Sequence, residues 1–294
     1  MVKQSFLDRM NAGQVLVSDG ATGTNLQRSG LPVGIVAEAW VLDNADEIFR
    51  LHQSFIQAGA DILLTCTFGA TRLRLDASNL ADQCEAVNRR AVEITHAAVA
   101  DQDVYVAGSI GPLGHMLAPL GDVSVAEAEA NYREQAALLC EGGVDLIVIE
   151  TQFDINEAGA AVRGVRAVAP TIPLVCSFSY DRGIRTMMGV KPADMAAQIG
   201  AMDVDILGIN CGRSLDENLS ALEALRAATG KPLWFKPNAG LPDLGPDGEP
   251  TYSVTPEAMG AMVPAWIDRG AQVVGGCCGT SPEHLAQIAR AVHD

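Results

Sequence analysis

Eight short apolar runs recur along this chain, and a stretch with helical periodicity separates each from the next. Most runs are apolar throughout rather than alternating, which is typical of parallel strands covered on both faces. Eight βα units in 294 residues favour a closed (β/α)8 barrel, the TIM barrel, over an open doubly wound sheet. The predicted strands are Val15–Gly20, Asp61–Phe68, Val104–Gly111, Asp145–Glu150, Leu174–Ser179, Asp205–Cys211, Leu233–Pro237 and Ala271–Cys277.

The stretches between the strands predict amphipathic helices, among them Asp46–Ala58, Val125–Cys140 and Leu215–Ala228. Two helix starts are well marked, because Thr255-Pro256-Glu257 and Ser281-Pro282-Glu283 each combine a hydroxyl cap, a proline and an acid. These signals support the alternation of strand and helix that the barrel requires.

The chain shows no internal boundary, since no linker or low-complexity segment divides it. We therefore predict one barrel domain over residues 1–294. An open dinucleotide-binding sheet would carry G-x-G-x-x-G after its first strand, and Asp19-Gly20-Ala21-Thr22-Gly23-Thr24 does not match that pattern. The segment Asn238–Tyr252 is the longest candidate lid.

The composition excludes several classes of function. With 36 acidic and 20 basic residues the net charge is −16, so binding to nucleic acid or to an anionic membrane surface is not expected. The apolar runs are too short to span a membrane, and the N-terminus lacks the apolar core of a signal peptide. Seven cysteines in such a chain indicate a reducing, cytoplasmic location rather than a disulfide framework.

Polar residues collect where the predicted strands end, which is where barrels of this class place their active sites. The strand ends carry Asp19-Gly20, Thr65-Cys66-Thr67, Glu150-Thr151, Asn210-Cys211-Gly212, Pro237-Asn238 and Cys277-Cys278. We interpret this clustering as the active-site end of the barrel.

Three cysteines at these ends, Cys211, Cys277 and Cys278, predict a catalytic zinc site with one open position. Neighbouring residues of a strand point to opposite faces, so Cys277 and Cys278 share a metal only where the backbone bends, and Gly275-Gly276 and Gly279 permit a bend. The alternatives are two core thiols beside an unrelated Cys211, a vicinal disulfide, a closed structural zinc site, or a metal-free cysteine nucleophile.

The other four cysteines, Cys66, Cys84, Cys140 and Cys176, lie in apolar runs and are interpreted as small buried hydrophobic residues. The interpretation as a buried hydrophobic residue applies least well to Cys66, because this residue lies near a strand end.

Zinc held by three thiolates is a weak Lewis acid and a poor source of hydroxide. It still lowers the pKa of a bound substrate thiol from about 8.5, so that the thiolate dominates at neutral pH. Such a site favours thiol alkylation over hydrolysis.

Asp19 and Glu150 each follow a strongly apolar strand. Their carboxylates are candidates for binding a substrate ammonium, while backbone N–H groups of the Gly20–Thr24 turn are candidates for its carboxylate. The alternatives are solvated loop carboxylates and, for Asp19, a helix cap.

These residues resemble the homocysteine S-methyltransferase family along essentially the whole chain. The matching segments are Asp19-Gly20-Ala21-Thr22-Gly23-Thr24, Ala58-Gly59-Ala60-Asp61, Thr65-Cys66-Thr67-Phe68, Ser109-Ile110-Gly111-Pro112, Glu150-Thr151, Asn210-Cys211 and Gly275-Gly276-Cys277-Cys278-Gly279-Thr280. The resemblance implies one Zn²⁺ per chain bound by Cys211, Cys277 and Cys278, and a reaction that converts homocysteine to methionine. It implies substrate binding by Asp19 and Glu150, and we add Gly20, Ala21 and Asn210 as substrate-binding candidates.

One position departs from the family pattern. Family members often carry Asn or Tyr after Thr-Phe, where the side chain can reach zinc before substrate arrives, but this chain has Gly69. The resting fourth zinc ligand is therefore left open.

The run Pro237-Asn238-Ala239-Gly240-Leu241-Pro242 looks most like the homocysteine module of cobalamin-dependent methionine synthase. The chain ends after one barrel and lacks the D-x-H-x-x-G run that supplies a cobalt ligand, so we expect methylcobalamin on a separate corrinoid protein as the donor. The alternatives are S-methylmethionine, S-adenosylmethionine or betaine as donor, and a zinc- or thiol-binding subunit of a larger assembly without turnover.

Overall fold

Eight parallel strands form a barrel with helices around it in the computed structural model, which describes residues 3–244 and 250–293. The barrel strands are β1 (Leu16–Val17), β2 (Ile62–Leu64), β3 (Tyr105–Ile110), β4 (Leu146–Gln152), β5 (Leu174–Phe178), β6 (Ile206–Cys211), β7 (Leu233–Pro237) and β10 (Ala271–Val274). Their order in the sheet is β1-β10-β7-β6-β5-β4-β3-β2. A separate antiparallel pair consists of β8 (Pro242–Leu244) and β9 (Pro250–Tyr252).

The first two strands close the sheet on itself. Ser18, directly after β1, forms a parallel bridge with Ile62 of β2. The Asp61 amide donates to the Val17 carbonyl at 2.7 Å, and the Asp19 amide donates to the Ile62 carbonyl at 3.0 Å. The predicted (β/α)8 barrel is thereby confirmed.

Helices connect the strands on the outside of the barrel. They are α1 (Phe6–Asn11), α2 (Thr22–Arg28), α3 (Ala37–Asp43), α4 (Ala45–Gln57), α5 (Arg72–Asp76), α6 (Cys84–Val99), α7 (Val125–Glu141), α8 (Ile155–Val168), α9 (Pro192–Gln198), α10 (Leu215–Ala228), α11 (Pro256–Asp268) and α12 (Pro282–His293), with a short 3₁₀ helix at Ala81–Gln83. The predicted helices correspond to α4, α7 and α10 within one residue. The Thr255 hydroxyl caps α11 by accepting from the Ala258 amide at 3.3 Å.

Alternation along the strands divides the core into two layers. Leu146 and Val148 of β4 pack inside the barrel, whereas the alternating residues Ile147 and Ile149 pack outward against the helices. Because side chains two residues apart share a face, the next inward position of β4 is Glu150. The barrel interior is therefore apolar at its lower end and polar where the strands end.

The same alternation brings three more polar residues inward near the strand ends. Ser109 lies on the same face of β3 as the inward residues Tyr105 and Ala107. Asn210 lies four residues after the inward Ile206 of β6, and Lys236 lies two residues after the inward Trp234 of β7. Helix α1 closes the opposite end, where the rings of Phe6 and Tyr105 meet edge to face with centroids 5.5 Å apart.

Several predicted strands are longer than the observed ones. β1 covers only Leu16–Val17 of the predicted Val15–Gly20, and β2 covers only Ile62–Leu64 of the predicted Asp61–Phe68. The last barrel strand ends at Val274 rather than at Cys277, because the chain turns out of the sheet at Gly275-Gly276. The predicted lid Asn238–Tyr252 contains β8 and β9, and residues 245–249 of that segment lie outside the described part of the chain.

Candidate active site

Three cysteines meet at the strand ends of the barrel. Cys211 is the last residue of β6, and Cys277 and Cys278 follow the end of β10. The Cys211 Sγ lies 3.0 Å from the Cys277 Sγ and 3.9 Å from the Cys278 Sγ. All three sulfur atoms lie within 4.8 Å of one another, and none is in a disulfide.

A glycine pair carries the backbone from β10 into this cluster. The Gly275 amide donates to the Phe235 carbonyl at 3.1 Å, the Gly276 amide to the Asp19 carbonyl at 3.1 Å, and the Cys277 amide to the Pro237 carbonyl at 2.9 Å. A Cβ atom on Gly275 would lie 2.6 Å from the Ser18 carbonyl oxygen. Only glycine fits at this position. The chain can therefore pass close to the end of β1 before it reaches the two adjacent cysteines of the cluster.

Cys211 has unusual backbone geometry. Its φ is +60°, and that of the following Gly212 is +81°. The Asn218 amide group donates to the Cys211 carbonyl at 2.6 Å and the Asn238 amide group donates to the Gly212 carbonyl at 2.8 Å, so side chains hold this turn in place. A left-handed backbone at a residue other than glycine costs about 1–3 kcal/mol and is common at functional sites.

The pKa values of the clustered thiols are shifted in opposite directions. Hydrogen bonds with Cys277 and then Cys278 raise the pKa of the Cys211 thiol, and hydrogen bonds from Cys211 and Cys277 lower the pKa of Cys278. Zinc–sulfur bonds of about 2.3 Å place the sulfur atoms of a tetrahedral site roughly 3.8 Å apart. The 3.9 Å pair matches this spacing and the 3.0 Å pair is shorter, so the donor set fits a metal after a small separation of two sulfur atoms.

This is the only such group in the described residues, since no other cluster of three or more His, Cys, Asp or Glu side chains there could hold a metal ion. The three cysteines also form part of the wall of a cavity of about 330 Å³. A metal held by them would therefore face the cavity with its remaining coordination position.

The cavity is the space in which a substrate would lie. Its wall comes from the ends of β1, β2, β3, β4, β6, β7 and β10 and from the loops that follow them. The lining residues are Asp19, Gly20, Ala21, Thr22, Gly23, Thr24, Val36, Ala37, Glu38, Leu64, Thr65, Cys66, Phe68, Gly69, Arg74, Ser109, Glu150, Thr151, Cys211, Lys236, Gly276, Cys277 and Cys278.

A buried ion pair lies in this wall. The Lys236 Nζ donates to the Asp19 Oδ1 at 2.6 Å, and the two side chains are 3% and 1% exposed. The other Asp19 oxygen, Oδ2, accepts from the Leu64 amide at 2.8 Å. Burial alone would lower the pKa of Lys236, but Asp19 and then Glu150 raise it, so the lysine is charged at neutral pH.

Glu150 is the second acid of the cavity. Its Oε1 accepts from the Ser109 hydroxyl at 2.6 Å, and the residue is 7% exposed. Burial raises the pKa of Glu150 to about 7, against an opposing effect of Lys236. A positively charged ligand beside Glu150 would return this carboxyl group to its ionised form.

Asn210 is fully buried beside the cysteines. Its Oδ1 accepts from the Thr151 amide at 2.8 Å and from the Ser177 hydroxyl at 2.6 Å. Its Nδ2 donates to the Thr151 hydroxyl at 2.6 Å and lies 3.9 Å from the Cys277 Sγ. The side chain thus connects β4, β5 and β6 to the cysteine cluster, and its role in substrate binding stays a prediction.

The Gly20-Ala21 turn also lines the cavity. The Ala21 amide donates to the Thr280 hydroxyl at 3.1 Å, and a Cβ atom on Gly20 would lie 2.8 Å from the ring of Phe55. These contacts hold the turn tightly between α4 and the segment that follows the cysteine pair. A role of either residue in substrate binding remains a prediction.

Two more charged residues of the cavity wall, Glu38 and Arg74, lie next to Gly69. The Gly69 amide donates to the buried Glu38 carboxylate, and a Cβ atom on Gly69 would lie 3.0 Å from Arg74 Nε and 3.1 Å from Glu38 Oε1. The Arg74 guanidinium lies over the Phe68 ring, 5.0 Å from its centroid. Glu38 and Arg74 therefore occupy the space into which a larger side chain at position 69 would project.

The remaining cysteines are protonated thiols at neutral pH. Cys66, Cys84 and Cys176 are buried and Cys140 is half-buried. Burial raises the pKa of Cys84 and of Cys140 to about 11 and raises that of Cys66 and Cys176 as well. Cys66 differs from the other three because it lines the cavity.

Sequence reasoning missed Lys236, Glu38 and Arg74, and it named Ser109 only as part of a segment that matches the family. A signal was present for Lys236, because it is a charged residue in the otherwise apolar strand Leu233–Pro237, at an inward position. No comparable signal marks Glu38 or Arg74, which lie in short helices where charged residues are ordinary.

Comparison with known proteins identifies clear relatives. A sequence model of the family described as Homocysteine S-methyltransferase matches residues 16–292. Methionine synthase of Mycobacterium leprae (strain TN) is 31% identical over 297 residues, covering 96% of this chain and 24% of that protein. Methionine synthase of Mycobacterium tuberculosis (strain ATCC 25618 / H37Rv) is 30% identical over 295 residues, covering 95% and 25%. The chain thus spans about a quarter of the length of these curated relatives.

Solved structures give full-length matches. The metallated form of the homocysteine methyltransferase MmuM from Escherichia coli superposes with a TM-score of 0.80 at 26% identity, covering 96% of this chain and 98% of that one. Its apo form superposes with a TM-score of 0.73 at 25% identity, covering 98% of both chains. Within the described residues, every helix is too short or too polar to cross a lipid bilayer.

Proposed function

Since this chain belongs to the homocysteine S-methyltransferase family, a family of methyltransferase enzymes, we propose that it is a zinc-dependent enzyme that methylates homocysteine to methionine. The observation that carries the proposal is the convergence of Cys211, Cys277 and Cys278 on one point of the cavity wall. The likeness to the metallated Escherichia coli homocysteine methyltransferase supports a metal-binding role for this barrel.

The proposed metal ligands are the three cysteine sulfur atoms. Zn²⁺ bound by three thiolates supplies one kind of chemistry, because it lowers the pKa of an incoming thiol and leaves the sulfur nucleophilic. In the reaction the homocysteine sulfur forms a bond to the methyl carbon, the bond from that carbon to the donor breaks, and the thiol proton leaves to solvent.

The polar residues of the cavity hold the amino-acid end of the substrate. In the proposed site Glu150 supplies the negative charge beside the substrate ammonium, and Asp19, Gly20 and Ala21 form the wall next to it. Fixing the substrate in this way places its sulfur at the cysteine cluster, which lowers the entropic cost of the transfer.

Asn210 fits a supporting role in this scheme. Its amide lies 3.9 Å from the Cys277 Sγ and is fixed by Thr151 and Ser177. A hydrogen-bond donor near a thiolate orients it and moderates its basicity, as outer residues of metal sites commonly do.

The proposed methyl donor is methylcobalamin carried by a corrinoid protein. The resemblance of the run Pro237–Pro242 to the homocysteine module of cobalamin-dependent methionine synthase supports a corrinoid donor. The cavity wall disfavours betaine, because a quaternary ammonium is usually held by an aromatic cage, whereas the one aromatic residue among the described lining residues, Phe68, is covered by the Arg74 guanidinium. The sulfonium donors S-methylmethionine and S-adenosylmethionine are the alternatives that the donor panel tests.

A donor panel tests the proposal. The zinc-loaded chain is incubated with L-homocysteine and, separately, methylcobalamin, S-methylmethionine, S-adenosylmethionine or betaine, and methionine is quantified by mass spectrometry. We expect methionine from methylcobalamin and little from the three cations. Methionine formed from S-methylmethionine alone would show that S-methylmethionine is the donor, and the enzyme class would stay the same. Tight homocysteine binding with no methionine from any donor would favour a thiol-binding subunit without turnover.

A further inference from the structure

Both oxygens of Asp19 already accept hydrogen bonds from the protein. Its Oδ1 accepts from Lys236 Nζ at 2.6 Å and is 3.4 Å from the Ser18 hydroxyl, while its Oδ2 accepts from the Leu64 amide at 2.8 Å. A substrate ammonium at Asp19 would have to displace a buried lysine from a carboxylate that is 1% exposed. Displacement would leave the lysine charge in a buried site without a partner, which is costly.

Glu150, unlike Asp19, keeps one oxygen to which no described residue donates, whereas Glu38, the third acid of the wall, holds the Gly69 amide. The Glu150 Oε1 accepts from the Ser109 hydroxyl at 2.6 Å, and no described residue donates to its Oε2. It lines the same cavity as the cysteines. Glu150 is therefore the acid best placed to accept a substrate ammonium directly.

Lys236 keeps donors for a ligand. A lysine ammonium has three N–H donors, and in the part of the chain that the structure describes its hydrogen-bond acceptor is Asp19 Oδ1. The residue lines the cavity, and the charges of Lys236 and Glu150 each shift the pKa of the other. A positive and a negative group thus lie near each other in one wall.

A zwitterionic amino acid brings a carboxylate as well as an ammonium into the cavity. A cationic partner would favour the carboxylate there, because three acids and four thiols already line the wall. The described lining residues include two cations, Lys236 and Arg74. Arg74 is engaged elsewhere, since its guanidinium donates to the Pro112 carbonyl at 2.5 Å and covers the Phe68 ring.

We propose that Lys236 is a specificity-determining residue that binds the carboxylate of the amino-acid substrate, while Glu150 binds its ammonium. Asp19 is then a positioning residue, which holds the lysine and does not contact the substrate ammonium. This inference rests on the proposed function, because it concerns the amino-acid end of the same thiol substrate.

The test compares three thiols that differ only in charged groups. L-Homocysteine has both groups, 3-aminopropane-1-thiol lacks the carboxylate, and 4-sulfanylbutanoate lacks the ammonium. Their dissociation constants are measured by isothermal titration calorimetry with the zinc-loaded full chain and no methyl donor. Charge-assisted hydrogen bonds of this kind change affinity by roughly 10- to 100-fold, so we expect wild type to prefer homocysteine over 3-aminopropane-1-thiol by that ratio.

Two variants isolate the lysine. Lys236→Met removes the ammonium, and the double variant Asp19→Asn/Lys236→Met also removes the carboxylate that would otherwise be buried without a partner. In both we expect homocysteine to bind no better than 3-aminopropane-1-thiol, within about threefold, with affinity for 3-aminopropane-1-thiol kept. Lys231→Met removes the same charge just before the start of β7, where its Nζ donates to the Val204 carbonyl, and is expected to leave the ratio unchanged.

The possible outcomes distinguish the role of Lys236 from the proposed function. A wild-type ratio preserved in the double variant overturns the role of Lys236 while leaving homocysteine as the substrate. If Lys236→Met binds homocysteine and 3-aminopropane-1-thiol equally more weakly than wild type, the lysine is structural and the inference is overturned. If Arg74→Met loses the preference for homocysteine and Lys236→Met keeps it, the carboxylate is bound by Arg74 and the inference is likewise overturned. Failure of the wild-type chain to bind homocysteine would instead remove the proposed function on which the inference rests.

Discussion

The Sγ atoms of Cys211 and Cys277 lie 3.0 Å apart although 66 positions separate these residues along the chain. Residues Asn210 and Cys211 of β6 pair with Lys236 and Pro237 of β7, and the Cys277 amide donates to the Pro237 carbonyl. The closed barrel therefore brings the two cysteines together through the strand between them. The position of the sulfur cluster depends on the register of these neighbouring segments.

Removing one sulfur atom should remove the metal. In Cys211→Ala, Cys277→Ala or Cys278→Ala, two thiolates and a water would replace three thiolates, so we expect zinc to fall well below one per chain and methionine formation to fall more than about 100-fold. Zinc is measured by inductively coupled plasma mass spectrometry on protein purified without chelator.

Cys140→Ala is the matched control for that experiment, because Cys140 is a half-buried thiol on helix α7 outside the cavity wall. It should keep its zinc and its turnover. Full turnover in any one of the three site variants would show that the cluster is not the metal centre of the reaction.

Glu150→Gln should weaken binding of homocysteine rather than the chemical step. We expect KM to rise roughly 10- to 100-fold with a smaller change in kcat, since a charge-assisted hydrogen bond to the substrate ammonium is lost. Burial raises the pKa of Glu150 to about 7, so below that pH the wild-type carboxyl group becomes neutral and its KM should rise toward that of the variant.

The measurement is a pH series of KM from pH 6 to 8 for both proteins. Effects of thiol ionisation are common to both, so the ratio of the two KM values reports on Glu150 alone. A ratio that stays constant across this range would contradict a titrating, ammonium-binding Glu150.

Gly275→Ala should destabilise the protein at the metal site. The added Cβ would lie 2.6 Å from the Ser18 carbonyl and 2.9 Å from the Asp19 carbonyl, which are backbone atoms in the barrel wall. Overpacking of this kind costs about 1–3 kcal/mol, and the shift would carry Cys277 away from Cys211. Urea unfolding gives the free energy of unfolding, and zinc content gives the state of the site.

Gly230→Ala serves as the comparison, because no atom lies within 4 Å of a Cβ placed there. We expect its unfolding free energy to remain within about 0.5 kcal/mol of wild type. Equal stability and zinc content in the two variants would mean that the bend after β10 accommodates a side chain.

His52 should make the fold sensitive to acid. This side chain is buried on α4, its Nε2 lies 3.2 Å from the Thr95 hydroxyl, and burial lowers its pKa to about 4. A histidine whose pKa is lowered in the folded state favours folding above its unfolded pKa of 6.5, and this contribution is lost as pH falls from 6.5 toward 4. From pH 7.5 to pH 5 the loss amounts to about 2 kcal/mol.

His52→Gln keeps a hydrogen-bonding side chain near Thr95 and cannot become protonated. Its free energy of unfolding, measured by urea denaturation at pH 7.5, 6 and 5, should decline less with acid than that of wild type. Parallel declines would assign the acid sensitivity to the carboxylates instead.

Much of the fold follows from local patterns in the sequence. The apolar runs, the prolines and hydroxyl caps at helix starts and the absence of a dinucleotide-binding glycine motif predict a barrel, and α10 (Leu215–Ala228) and β7 (Leu233–Pro237) have the predicted bounds. Local signals suffice here because secondary structure depends on the side chains of a few consecutive residues. The three cysteines were also identifiable, because thiols at strand ends beside glycines are uncommon in an apolar core.

Only the tertiary structure decided which charges meet inside the barrel. Asp19 and Lys236 are 217 positions apart, yet their side chains form a buried ion pair at 2.6 Å. That pair occupies Oδ1 of Asp19 and the Leu64 amide occupies Oδ2, whereas no described residue donates to Oε2 of Glu150. Neither local sequence reveals this difference between the two acids. The physical reason is that a buried carboxylate takes its character from the partners around it, and barrel closure brings those partners from strands distant in the chain.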